Sequence, residues 1–136
     1  MVVLRSQSKK ESEKVVIKNI IKYDDDIDNS RMYGYKFEMS DSNMNIIARM
    51  SSNSQCCEKL GVYSVAKMED YIGAEYKSIK IIKKEEGNWY EEENMIFVEI
   101  SSDRGDIVFY LYNIHNGNYR SNVYVESENG KESYRI

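Results

Sequence analysis

Tyr33-Gly34-Tyr35-Lys36-Phe37-Glu38-Met39 carries an apolar side chain at every second position, with glycine, lysine and glutamate between. That period belongs to a strand with one buried and one wet face. Asp41-Ser42-Asn43 then supplies turn residues, and Met44, Ile46, Ala48 and Met50 alternate with Asn45, Ile47 and Arg49. Two such runs around a short polar turn predict an antiparallel hairpin. Working outward, Lys14–Tyr23 alternates in the same way, with Val15, Ile17, Ile21 and Tyr23 on one face and Lys18 and Lys22 on the other. Asp24 to Ser30 reads as a turn-rich break. Beyond the hairpin, Val65, Met68 and Ile72 stand at helical spacing before Gly73, which predicts one short helix. Glu75–Lys84, Met95–Ile100, Ile107–Asn113 and Tyr119–Val125 read as strands. The acidic stretch Glu85–Asn94, carrying Trp89 and Tyr90, reads as an exposed loop. Asn116–Gly117 predicts a hairpin between the last two strands.

The expected fold is α+β and mainly β, an antiparallel sheet of about seven strands with one short helix. It forms a single domain over residues 14–136. Residues 1–13, polar after Leu4 and without period, form a flexible or partner-pairing arm. Ile107-Val108-Phe109-Tyr110-Leu111-Tyr112 is apolar on both faces. Such a strand is either central and covered on both sides or part of a subunit interface. One helix cannot cover a whole sheet, so a homo-oligomer is expected.

The 136 residues hold 19 basic and 23 acidic side chains, a net charge of −4. A dedicated nucleic-acid binder shows a basic balance or a basic stripe, so no nucleic-acid polymer is expected as partner. No apolar run reaches the length of a membrane span, and Met1–Arg5 is too short for a secretory signal, so no membrane contact is expected. The two cysteines, Cys56 and Cys57, are adjacent. A trans peptide holds neighbouring Cα atoms about 3.8 Å apart, short of the ~5.5 Å that a disulfide wants. Reduced thiols in a cytoplasmic compartment follow. Proline is absent and tyrosine occurs twelve times, a strand-forming residue with a stacking face and a hydroxyl.

Catalytic and metal signatures are wanting. A cysteine nucleophile needs a base, and the single histidine, His115, lies far along the chain from Cys57. Zinc would need three or four spaced Cys or His ligands. Asp24, Asp26 and Asp28 open like a calcium loop, yet Asn29 and Tyr35 stand where that loop needs Gly and Glu. No glycine-rich phosphate loop or nucleophile elbow is present. The expectation is a protein without cofactor, metal or enzymatic activity. Binding chemistry is better supplied. His115-Asn116-Gly117-Asn118-Tyr119-Arg120 gathers amides, an aromatic face and a guanidinium within six residues. Those groups read bases, stack on them and pair with phosphate.

Several short motifs occur in a fixed order: Ser54-Gln55-Cys56-Cys57-Glu58, Glu69-Asp70-Tyr71-Ile72-Gly73, Phe97 leading to Gly105, and Asn116-Gly117-Asn118-Tyr119. The set resembles a small phage protein family with a Cys-Cys-Glu motif and a C-terminal Asn-Gly-x-Tyr motif. It is similar to the Thoeris anti-defense proteins of the first type. Gln55 stands where that family has Asp, Met95 where it has Trp and His115 where it has Ser, which leaves Trp89 or Tyr112 to supply the aromatic face. The resemblance implies a phage protein in the cytoplasm of a bacterial host. Such a protein sequesters, without degrading it, the cyclic ADP-ribose-type nucleotide made by a TIR-domain enzyme, and so blocks the immune response. Under it, Asn116, Asn118, Tyr119 and Arg120, with Arg49, Arg104 and the loop residues Gln55, Cys57 and Glu58, hold a phosphate-bearing cyclic nucleotide. A structural or virion-associated oligomer and a small hydrolase using Cys57 stand as alternatives.

Overall fold

Alternation decides which side chains face inward, and it does so in nine strands. In the computed structural model, which describes residues 14–52, 58–88 and 90–136, these are β1 (Ile17–Asp24), β2 (Met32–Met39), β3 (Ile46–Ser51), β4 (Lys59–Ser64), β5 (Tyr76–Gly87), β6 (Glu92–Ser102), β7 (Gly105–His115), β8 (Asn122–Ser127) and β9 (Gly130–Arg135). They form two antiparallel sheets, ordered β1-β2-β3-β8-β9 and β4-β7-β6-β5. The predicted hairpin is present as β2–β3, with Tyr35 opposite Ala48. Two sheets and nine strands replace the single sheet of about seven. The additions are β4 and β9, and the chain is mainly β as expected.

The inner rows of the two sheets build one core. Tyr33, Tyr35, Phe37 and Met39 from β2 and Ile46, Ala48 and Met50 from β3 face Ile96, Val98 and Ile100 from β6 and Ile107, Phe109 and Leu111 from β7. Phe109 is the wedge. Its ring meets Tyr35 edge-on at 4.8 Å and stacks near Phe37 at 5.9 Å, two geometries favoured by the ring quadrupoles. At one end the sheets are sewn together by backbone. Ile17 N–H donates to the Ala74 carbonyl at 2.9 Å, and Tyr76 N–H to the Val15 carbonyl at 2.8 Å, joining β1 to the approach of β5. The Tyr76 hydroxyl donates to Glu128 at 2.5 Å, tying β5 to the β8–β9 turn.

Three local expectations are corrected. Val65–Ile72 is not a helix and keeps a single 3-10 turn over Met68–Tyr71. Its apolar positions share no buried face, for Val65 is 82% and Ile72 41% exposed, and two turns cannot sustain themselves alone. The short helix lies instead in the predicted break, as α1 (Asp25–Asp28). Asp24 caps it by accepting from Asp26 N–H, and Asn29 ends it with φ 55°, a left-handed residue that asparagine tolerates well. Asn116–Gly117 makes no hairpin, because β7 is flanked by β4 and β6, and the chain crosses to the other sheet to form β8 beside β3. The stretch read as a loop over Glu85–Asn94 is the tip of the β5–β6 ladder, paired as far as Gly87 opposite Glu92. The arm of residues 1–13 lies outside the described residues. Among the described residues no helix is long and apolar enough to cross a membrane.

Gly34 sits where no side chain fits. Its φ is +147°, and an added Cβ would come within 2.0 Å of the Ala48 carbonyl oxygen on the neighbouring strand. Gly34→Ala is expected to lower Tm by more than about 5 °C in a calorimetric melt, through strain of at least ~1–3 kcal/mol.

Burial first, then nearby carboxylates, raises the hydroxyl pKa of several tyrosines. Tyr33 beside Asp26 and Tyr76 beside Glu128 lie well above the ordinary value, and Tyr134, bonded to Glu132, is pushed up to about 12. The unfolded chain therefore loses these protons first. The stability they carry is whole below pH ~10 and falls as the pH rises through the folded-state values. Urea midpoints should hold steady up to pH ~10 and drop above it, with tyrosinate absorbance of the folded protein lagging behind that of free tyrosine.

Candidate functional site

The loop between β7 and β8 spends its polar groups on itself. His115, buried at the end of β7, accepts the Gly117 N–H on Nδ1 at 2.9 Å. Its Nε2 lies 3.5 Å from the Asn94 side-chain nitrogen. Asn116 Oδ1 accepts from Asn118 N–H at 3.1 Å, a local turn bond. Arg120 donates to Glu92 across the end of the sandwich at 3.1 Å. Beneath them, buried Asn113 donates through Nδ2 to the carbonyls of Tyr119, at 2.8 Å, and Ile136, at 3.2 Å. Its Oδ1 has no hydrogen-bond partner among the described residues.

The other residues singled out from the sequence lie elsewhere. Arg104, in the β6–β7 turn, donates to the carbonyls of Asp70 and Ile72 at 3.0 and 2.9 Å and so pins the 3-10 turn. The β6–β7 ladder runs from Glu92 opposite His115 to Ser102 opposite Gly105. Ten residues at about 3.3 Å each separate Arg104 from the Arg120 loop by roughly 33 Å. Arg49 is on the outer face of the first sheet, its guanidinium 5.1 Å above the Tyr124 ring. Glu58 lines a hollow of about 410 Å³. Gln55 and Cys57, with Cys56 and Trp89, lie outside the described residues. The three arginines thus do not converge on one ligand.

Two hollows share Lys59 and Tyr112, and their chemistry differs. The one at Glu58 is lined also by Asp25, Asp26, Tyr33, Ser52 and Lys59. Asp25 there accepts from Arg31 N–H at 2.7 Å and Ser52 Oγ at 2.8 Å, and Asp26 accepts from the Tyr33 hydroxyl at 3.0 Å. Three carboxylates repel a phosphate. Among the described residues no group of three His, Cys, Asp or Glu side chains is placed to hold a metal ion.

The second hollow, about 360 Å³, opens on the outer face of the second sheet. Lys59 and Tyr63 from β4, Glu93, Asn94 and Met95 from β6, and Tyr110, Tyr112 and Ile114 from β7 line it. Tyr110 is the hub: its ring centre lies 5.3 Å from Tyr63, 5.1 Å from Phe97 and 6.0 Å from Tyr112. Tyr112 leans over Gly61, where an added Cβ would come within 2.7 Å of its hydroxyl. Burial, followed by Asp26, Tyr110 and Asp24, raises the Tyr112 pKa, so the hydroxyl stays neutral. Lys59 makes no ion pair among the described residues. Sequence reasoning named Tyr112 and overlooked Tyr63, Tyr110, Met95 and Lys59. The signal was there in Lys59-Leu60-Gly61-Val62-Tyr63, which alternates outward and inward like a strand.

No family model, curated protein or solved structure matches this chain. The likeness to the phage family therefore stands on the ordered motifs alone.

Asn113→Ala is expected to cost about 1–3 kcal/mol, because the part-buried Tyr119 carbonyl loses its side-chain donor and the Ile136 carbonyl keeps only the Ser121 N–H. Arg120→Ala should cost no more than about 1 kcal/mol, since its pair with Glu92 is a third exposed. Urea unfolding of both variants, followed by fluorescence, checks the order.

Proposed function

We propose that the protein is a sequestering protein for a cyclic ADP-ribose-type nucleotide, which it holds intact in the hollow of Tyr63, Tyr110, Tyr112, Met95 and Lys59. The observation that carries this reading is the convergence of three tyrosine rings and the Lys59 ammonium on a concavity of about 360 Å³, which a single carboxylate, Glu93, also lines. That volume is within the ~300–1,000 Å³ usual for small-ligand sites. A base stacks on an aromatic ring whatever its edge pattern, and a lysine meets phosphate as a point charge. The ordered motifs support the same class of ligand, and with it a phage protein acting in the cytoplasm of a bacterial host against TIR-dependent signalling. Sequestration calls for binding and release without bond cleavage, so no side chain need act as acid, base or nucleophile. His115, the base that a hydrolase built on Cys57 would require, is buried and holds the loop through Nδ1.

Titration calorimetry of the full chain with the cyclic nucleotide tests the reading. Sequestration at nanomolar level corresponds to about −12 kcal/mol. Tyr110→Ala should lose ~1–3 kcal/mol of it, and Lys59→Ala about 1.5–3 kcal/mol. Arg49→Ala, on the opposite face, should bind as the wild type does. Heating the complex should return the nucleotide with its mass unchanged. No binding heat overturns the function. Affinity lost with Arg120→Ala but kept with Tyr110→Ala moves the site to the loop.

A further inference from the structure

Two Asn-Gly pairs occur in the chain, Asn116–Gly117 and Asn129–Gly130. In such a pair the glycine nitrogen can attack the asparagine side-chain carbonyl, because glycine carries no side chain to screen it. Both glycines have positive φ, 100° at Gly117 and 107° at Gly130. What surrounds them differs. His115 Nδ1 takes the Gly117 N–H at 2.9 Å, within the range over which a general base removes a proton. His115 is buried and is the last residue of β7, so the imidazole is held where that strand puts it. A carbonyl in its place would hold the amide equally well and could not take the proton. The N–H bond lies in the plane of its peptide, which leaves both faces of the nitrogen open to attack.

The electrophile is prepared as well. Asn116 Oδ1 accepts the Asn118 N–H at 3.1 Å. That bond strengthens as the oxygen takes up negative charge, which is how an oxyanion hole works with a single donor. Asn116 is exposed, so ammonia can leave and water can enter. At Asn129–Gly130 neither aid is present. Asn129 N–H donates to Ser127 Oγ at 3.1 Å. The one histidine is committed to Gly117, and among the described residues no side chain takes the Gly130 N–H and no N–H reaches Asn129 Oδ1.

We infer that Asn116 is a self-modification site, which the folded loop converts to aspartate or isoaspartate through a succinimide with His115 as the base. The Gly117 nitrogen forms a bond to Asn116 Cγ while His115 Nδ1 takes its proton. Negative charge gathers on Oδ1, facing the Asn118 N–H. The imidazolium then passes the proton to Nδ2, the Cγ–Nδ2 bond breaks, and ammonia leaves behind a five-membered imide. Solvent water opens the imide at either carbonyl and gives one carboxylate. The loop thereby gains a negative charge close to Glu92, whose carboxylate holds Arg120. The inference is independent of the nucleotide reading, since neither His115 nor Asn116 lines the hollow.

Peptide mass spectrometry of the full chain, incubated in neutral buffer either folded or in urea, tests it. In the folded protein Asn116 should convert about tenfold or more faster than Asn129. In urea the two rates should converge, because the imidazole is no longer held against Gly117. His115→Asn sets an amide oxygen near the place of Nδ1, so it keeps an acceptor and removes the base. It should bring Asn116 down to about the Asn129 rate while circular dichroism still shows a cooperative melt. If that variant does not fold, the wild type decides alone: Asn116 reacting no faster folded than in urea overturns the inference. Equal rates at the two asparagines of the folded chain overturn it, as does an unchanged rate in folded His115→Asn. Scission between Asn116 and Gly117 overturns it too, since the side-chain nitrogen would then be the nucleophile in place of the Gly117 nitrogen.

Discussion

Phe109 stands where the two sheets meet, and the architecture follows from what it must satisfy. An antiparallel sheet has one face to bury, and two sheets can share that burial only if their inner rows interdigitate at about 10 Å. Phe109 projects from the centre of β7 between Tyr35 and Phe37 of β2, so the middle of one sheet is keyed to the middle of the other. Both strands around it alternate strictly, and a slip of one residue would turn every ring to the wrong face. The backbone seam at Ile17–Tyr76 and the polar tie at Asn113 then close the two ends.

What could be read from the chain followed the strength of local pattern. The β2–β3 hairpin, β6 and β7 were legible because burial writes a period of two into each of them. β9 was not, since Gly130-Lys131-Glu132-Ser133-Tyr134-Arg135 lies at a sheet edge with nearly every side chain in water, and backbone pairing alone leaves no such mark. The tip of the β5–β6 ladder was hidden for the same reason. Asn116–Gly117 misled in the opposite sense. It is a strong local turn signal, but both edges of β7 are occupied by strands distant in sequence, and long-range pairing overrode it.

The candidate site was less legible than the fold. Asn116, Asn118 and Arg120 are neighbours in the chain, and that closeness made them look like a binding set. In the folded protein it makes them a well-bonded loop instead. The tyrosines that do converge come from β4 and β7, nearly fifty residues apart from Tyr63 to Tyr110, and only the strand order brings them together. Arg49 is a partial success: it meets an aromatic ring, as a guanidinium in a binding site would, but the ring belongs to Tyr124 beside it on the same sheet.

Tyr112 belongs to the lining of both hollows, with Lys59 beside it in each. Its ring is a partition between an aromatic chamber and an acidic one, held in place because Gly61 has no side chain to push it away. A partition of one ring can be moved. Swung towards Asp26, it would enlarge the aromatic chamber at the expense of the acidic one and bring its hydroxyl closer to a carboxylate. The two chambers share this one wall, so a turn of the ring that widens one narrows the other.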